Sequence, residues 1–162
     1  MQTIWITGWS SGIGFATAKE FINNNWQVVI SSSNKIKLES AKKKLELNNN
    51  KNLVHAIVCD ISSKNNVDET INSIEKNIGK IDIALLNASA YSPNKNQIFD
   101  ISNYELLVDV NIKGTLYCVN KLKDVMKNRN NTIAIISSPL GYRGWPTAVS
   151  YTHLTLPTIF RV

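Results

Sequence analysis

Only two cysteines occur in the 162 residues, and each lies in an apolar stretch, Val58-Cys59 and Leu116-Tyr117-Cys118-Val119. Such settings suit buried, reduced thiols rather than a disulfide or a metal pair. No group of His, Cys, Asp and Glu has metal-ligand spacing, so no metal site is expected. No run of about 18 apolar residues appears, so no membrane partner is expected. The chain enters a strand-like run without a charged leader and apolar signal core, which predicts a cytoplasmic location. Internal repeats and an interdomain linker are also missing, leaving one domain as the reading. Acidic residues are outnumbered and the formal charge is +6. The lysines, however, concentrate between Lys35 and Glu46 as the solvated face of an amphipathic helix, so nucleic acid is not expected as a partner.

Against these absences stands Thr7-Gly8-Trp9-Ser10-Ser11-Gly12-Ile13-Gly14. The run before it, Met1 to Ile6, is rich in β-branched and aromatic residues, and Phe15 to Ile22 repeats apolar positions at helical spacing. Strand, glycine loop and helix follow one another. Gly8 permits a tight turn, Gly12 lets a ligand approach the backbone, and Gly14 allows the helix to lie close to a sheet. The free N–H groups and positive dipole end of the helix start suit a pyrophosphate.

Further strand-like runs occur at Gln27–Ser32, Leu53–Cys59, Ile81–Leu86 and Thr132–Ser137. Helical spacing occupies the lysine-rich segment, Val67–Ile78 and a long stretch from Tyr104 to Met126. Alternating strands and helices, with continuous apolar strands, predict an α/β fold: a doubly wound parallel sheet with helices on both faces. Ligands of such sheets sit beyond the carboxyl ends of the strands. Those ends are Thr7-Gly8, Ser32-Ser33, Asp60-Ile61, Asn87-Ala88 and Ser137-Ser138, all polar or small. Each has a plain structural reading as a cap or turn, yet five in register favour a crevice.

Together with Asn87-Ala88-Ser89, Val110-Asn111-Ile112-Lys113-Gly114 and Ile136-Ser137-Ser138, these motifs resemble the short-chain dehydrogenase/reductase family, Rossmann-type NAD(P)-dependent oxidoreductases. The resemblance covers residues 1 to about 148. Ser89 stands where the family usually has glycine. The resemblance implies hydride transfer between a nicotinamide and a small-molecule carbonyl or secondary alcohol. It implies cofactor contacts from Thr7, Gly8, Ser10, Ser11, Gly12, Ile13 and Gly14, from Ser32 and Ser33, and from Asp60, Ile61, Asn87, Ala88 and Ser89. By the same resemblance Asp60 meets the adenine ring, and Asn87 and Ala88 pass beneath the cofactor. Asn111 holds a water in a proton relay, Ser138 hydrogen-bonds the substrate carbonyl oxygen, and Tyr151, thirteen residues on, is the general acid. The helix from Tyr104 to Met126 resembles a family dimerisation element and so a homo-oligomer contact, although packing on the sheet explains its apolar stripe equally well.

A family lysine is expected four residues beyond the tyrosine, where its charge would favour the phenolate. Position 155 holds Thr155, which carries no charge, so the chain as given reads as a poor catalyst. The segment from Val149 to Val162 also departs from the expected helix: Thr152, Thr155 and Thr158 are poor helix formers and Pro157 breaks helices. Residues 149–158 can be encoded by a DNA string similar to a transposon-derived sequencing adapter. The reading is an incomplete dinucleotide-binding domain over residues 1–148 and a non-native tail over 149–162. Tyr151 then either coincides with a native tyrosine or belongs to the tail.

The loop after the second strand, Ser31-Ser32-Ser33-Asn34-Lys35, offers no carboxylate for a ribose 2′-hydroxyl. That favours NADP over NAD, with Ser32, Ser33, Asn34 or Lys35 as phosphate contacts; a polar loop with a helix cap is the other reading. The alternative function is a catalytically inactive dinucleotide-binding module.

Overall fold

The computed structural model describes residues 1–8, 12–46, 52–91 and 101–138. Within them the chain runs β1 (Thr3–Thr7), α1 (Ile13–Asn23), β2 (Gln27–Ser32), α2 (Lys35–Leu45), β3 (Val54–Val58), α3 (Lys64–Asn77) and β4 (Ile81–Leu86). Then come α4 (Ile101–Leu107), a π-helical segment (Val108–Gly114), α5 (Thr115–Met126) and β5 (Thr132–Ile135). The five strands form one sheet in the order β3-β2-β1-β4-β5, and every pairing is parallel. The expected doubly wound α/β architecture is what the structure has.

Strands covered on both faces need apolar residues at successive positions, and β1 is buried along its whole length. One face packs Ile4, Ile6, Val28, Ile30 and Leu85 under Ala18 and Ile22 of α1 and Leu38, Ala41 and Leu45 of α2. The opposite face packs Trp5, Val29, Ala84 and Leu86 under Val67, Ile71 and Ile74 of α3 and Cys118, Leu122 and Met126 of α5. The Trp5 indole N–H donates to Ser31 Oγ at 2.9 Å, satisfying a polar atom at the centre of the sheet.

Several boundaries move from their sequence expectation for local reasons. Helix α3 starts at Lys64 rather than Val67, because Ser63 caps it by accepting the Asn66 N–H. The long helix already includes Ile101, ahead of Tyr104, and is interrupted by the π-helical segment. Strand β5 ends at Ile135, although the next N–H, of Ile136, still donates to the Leu86 carbonyl at 3.0 Å. Both cysteines are buried free thiols. Burial pushes the Cys59 thiol up and that of Cys118 up to about 12, so both stay protonated near neutral pH. The tail expected over residues 149–162 lies outside the described residues.

His55 stands on edge strand β3 opposite Val29, and its Nε2 atom is buried with no hydrogen-bond partner among the described residues. Burial, and secondarily the charge of Lys42, lowers its pKa from the ordinary 6.5. The folded state therefore favours neutral imidazole, and this contribution is complete above the unfolded value and lost as pH falls below it. Urea unfolding midpoints should decline from pH 7.5 to pH 5 more steeply in the native chain than in His55→Val. Equal slopes would show that His55 does not contribute.

Candidate functional site

The sheet reverses its winding at β1: β2 and β3 extend to one side, β4 and β5 to the other. Helical connections then leave on opposite faces and a crevice opens beyond the carboxyl ends of β1 and β4. Thr7 closes β1 and is 1% exposed. Its Oγ1 accepts the N–H groups of Asn87 and Ala88, each at 3.1 Å. In return the Asn87 amide donates to the Thr7 carbonyl at 3.3 Å and to the Gly8 carbonyl. On the other side the Gly8 N–H donates to the Ser31 carbonyl at 3.1 Å. The turn is stitched to both neighbouring strands.

Only glycine fits at position 8. Its φ is +65°, and a Cβ there would lie 2.2 Å from the Ala88 Cα. Gly12 shares the positive φ, +66°, but a Cβ there would meet no atom of the described residues within 4 Å. The space over the start of α1 is open among the described residues. Helix α1 has no side-chain cap and no acidic residue in its first turn, so backbone donors and a positive dipole end face that space without competition from a carboxylate. A diphosphate fits this setting.

The other strand ends frame the crevice. At β2, Ser32 Oγ accepts the Asn34 N–H at 3.2 Å, and Asn34 Oδ1 accepts the Lys37 N–H at 3.0 Å. Asn34 is thereby committed as the cap of α2, leaving Ser33 and Lys35 exposed beside a helix start that has no acidic residue in its first turn. At β3, Asp60 Oδ1 accepts both the N–H and the hydroxyl of Ser62, at 3.0 and 2.7 Å. One carboxylate oxygen thus holds the turn. Ile61 points into the core and is 7% exposed; a Cβ on Gly114 would lie 2.9 Å from its Cδ1 and Cγ1.

Beyond β4, the Ala90 N–H donates to Asn111 Oδ1 at 2.8 Å and the Asn111 amide donates back to the Ala90 carbonyl at 3.0 Å. The side chain of Asn111 therefore binds backbone, and its own carbonyl accepts the Thr115 hydroxyl at 3.1 Å. A π turn re-aims side chains within a helix, and this one carries Asn111 at its centre. Ile13 is 58% exposed at the start of α1, Gly14 is buried, and Ser89 follows Ala88 on the same strand exit. Ser138 follows β5, which runs beside β4. Ser10, Ser11 and Tyr151 lie outside the described residues. Sequence reasoning missed Thr115 and Ser31. A hydroxyl four residues after Asn111, and a serine directly after the apolar run Val28-Val29-Ile30, were the available signals.

A parallel sheet with a glycine turn and an open helix start at its switch point defines a nucleotide-type α/β fold. A short chain dehydrogenase sequence profile matches residues 2–153. The chain belongs to that family, a family of oxidoreductases. It is 30% identical over 126 residues to an uncharacterized oxidoreductase of Staphylococcus saprophyticus, covering 78% of this chain and 53% of the relative. To one of Staphylococcus aureus it is 28% identical over 148 residues, covering 91% and 62%. The ElxO structure with NADP bound superposes with a TM-score of 0.85 at 28% identity, covering 95% of this chain and 62% of that one. A Brucella melitensis short-chain dehydrogenase/reductase has the same fold, with a TM-score of 0.84 at 21% identity, covering 95% and 64%. The chain thus spans between 53% and 62% of these curated relatives.

The two positive-φ glycines should respond differently to alanine. Gly8→Ala meets Ala88 backbone and should lose on the order of 3 kcal/mol in urea unfolding, left-handed strain plus overlap. Gly12→Ala, with open space around it, should lose only about 1 to 2 kcal/mol, from strain alone. Equal losses would contradict the close approach at Gly8.

Proposed function

We propose that residues 1–148 form the NADP(H)-holding part of a short-chain oxidoreductase that interconverts a carbonyl and a secondary alcohol. The observation that carries this reading is the Thr7-Gly8 turn held between Ser31 and Asn87-Ala88, with open space above Gly12. The start of α1 would hold the diphosphate, and Asn87, Ala88 and Ser89 would lie beneath the cofactor. Asp60, at the end of β3, would meet the adenine end. NADP is favoured over NAD because the exposed Ser33 and Lys35 flank a helix start without a carboxylate, and a phosphate gains from a lysine where a ribose hydroxyl gains from an acid. The similarity to a structure with NADP bound supports the same choice.

When bound, the nicotinamide supplies or accepts hydride. Ser138 hydrogen-bonds the substrate oxygen, and Tyr151 holds the proton that this oxygen gains or loses. Asn111 contributes by clamping Ala90, which fixes the strand exit under the cofactor. A phenol with no cation beside it stays near its ordinary pKa of about 10 and exchanges protons poorly at neutral pH. Thr155 provides no cation. The second reading, a dinucleotide-binding module without turnover, is favoured by that residue, and residues 149–162 are read as a non-native tail whose first five positions still fall within the family match.

Titration of the full chain with NADPH and NADH, followed by fluorescence of Trp5 and Trp9, tests the reading. Saturable quenching is expected with both and tighter binding with NADPH. Lys35→Ala should weaken NADPH by about fivefold, the scale of one exposed phosphate contact, and leave NADH within about twofold. No response to either dinucleotide would overturn the cofactor assignment. Rapid carbonyl reduction by the purified chain would overturn the role given to Thr155.

A further inference from the structure

Past Asp82, strand β4 contains no hydrophobic signal that selects its register. Ile83 and Leu85 pack in the α1/α2 layer, while Ala84 and Leu86 pack in the α3/α5 layer. A slip of one residue would exchange apolar side chains for apolar side chains. For a strand buried on both faces, alternation cannot reject that slip as it would in a half-exposed strand. The site nevertheless needs one register: Leu86 opposite Thr7, so that Asn87 reaches the Gly8 carbonyl.

The opposite edge of the sheet holds a device that selects it. Thr3 pairs with Ile81 and Ile4 with Ile83, so the ladder passes over Asp82 as a bulge. The core shows the same irregularity independently, since Ile81 and Ala84 face one layer although they are three residues apart. Two carboxylates take the N–H groups there. Asp82 Oδ2 accepts the Thr3 N–H at 2.8 Å, and Glu75 Oε1 accepts the Ile81 N–H at 2.8 Å. Arg129, just before β5, grips Glu75 with two nitrogens, at 3.2 and 2.8 Å. One cluster therefore joins the ends of α3 and α5 to the starts of β1 and β4.

We propose that Asp82, backed by Glu75 and Arg129, is the register pin of β4: it fixes a bulge at one edge of the sheet so that Asn87 meets Gly8 at the other. These are positioning residues, since Asp82 lies five residues, or roughly 16 Å along a strand, from Asn87. A neutral amide can still accept the Thr3 N–H, whereas alanine cannot. The two substitutions at position 82 therefore separate loss of the accepting side chain from loss of the negative charge alone.

The test is residue-resolved amide hydrogen exchange on the full chain without cofactor, comparing native protein, Asp82→Asn and Asp82→Ala. Protection at Thr3 should be lost in Asp82→Ala, and protection at Asn87 and Ala88 should fall by about tenfold or more, one hydrogen bond's worth. Asp82→Asn should keep both sites within about threefold. Loss confined to Thr3, or equal loss in both variants, would overturn the pin. Should Asp82→Ala fail to fold, Asp82→Ser, whose hydroxyl is one bond shorter than the carboxylate, is measured in its place under the same criteria. A second arm rests on the proposed function: NADPH affinity should fall with Asn87 protection and return in Asp82→Asn. If exchange follows the expectation while no variant, native chain included, binds NADPH, the pin stands and the cofactor reading falls. If NADPH binds all variants equally despite lost protection, the pin has no bearing on the site and the proposal fails.

Discussion

The close approach of Gly8 to Ala88 is the constraint on which the described site depends. Two parallel strands whose connections leave on opposite faces diverge at their ends, and a tight contact there must be made by backbone. Glycine removes the side chain that would fill the gap, and Thr7 Oγ1 supplies one acceptor for two successive N–H groups of the neighbouring strand. Buried donors left without that acceptor would each cost about 1 to 3 kcal/mol. The turn is held low in this way, and among the described residues the space at Gly12, before α1, is left open.

Most of the architecture was readable because it is written in short-range pattern. Strands buried on both faces leave unbroken apolar runs, and Gln27–Ser32 and Ile81–Leu86 were placed to the residue. Elements whose limits depend on a hydrogen-bonding side chain were less legible. The three extra residues of α3 depend on the Ser63 cap. The π-helical segment leaves no periodic trace, because its causes are distant in sequence: Asn111 bonded to Ala90, and Gly114 set against Ile61. Helical spacing alone therefore reads Tyr104 to Met126 as one uninterrupted helix.

Legibility at the site divides along the same line. The glycines announced a turn and an open helix start, since few other residues tolerate such backbone. The partner of Asn87 was not readable, because an asparagine at a strand end has many local uses. Family resemblance assigned Asn111 a water, and the bonds of its side chain to both backbone groups of Ala90 were not readable from sequence. Asp82, Glu75 and Arg129 escaped notice because they stand at the edge of the sheet remote from the crevice. A charged residue in an apolar strand reads as a solvent-facing position until the bulge and the Thr3 N–H are seen together.

Holding a cofactor and using it are separate demands, and the proposed reading assigns them to separate stretches of this chain. Backbone donors, a glycine turn and a clamped strand exit act on a cofactor equally before and during hydride transfer. Interactions of that kind lower a dissociation constant without raising a rate. Acceleration requires a group that interacts better with the transition state, here a proton donor whose phenolate form is stabilised as the proton moves. On the proposed reading that step rests on Tyr151 and on position 155, where Thr155 brings no charge. On that reading the crevice holds dinucleotide while turning over little, and affinity measured on this chain would report on the proposed binding elements between residues 7 and 111 rather than on catalysis.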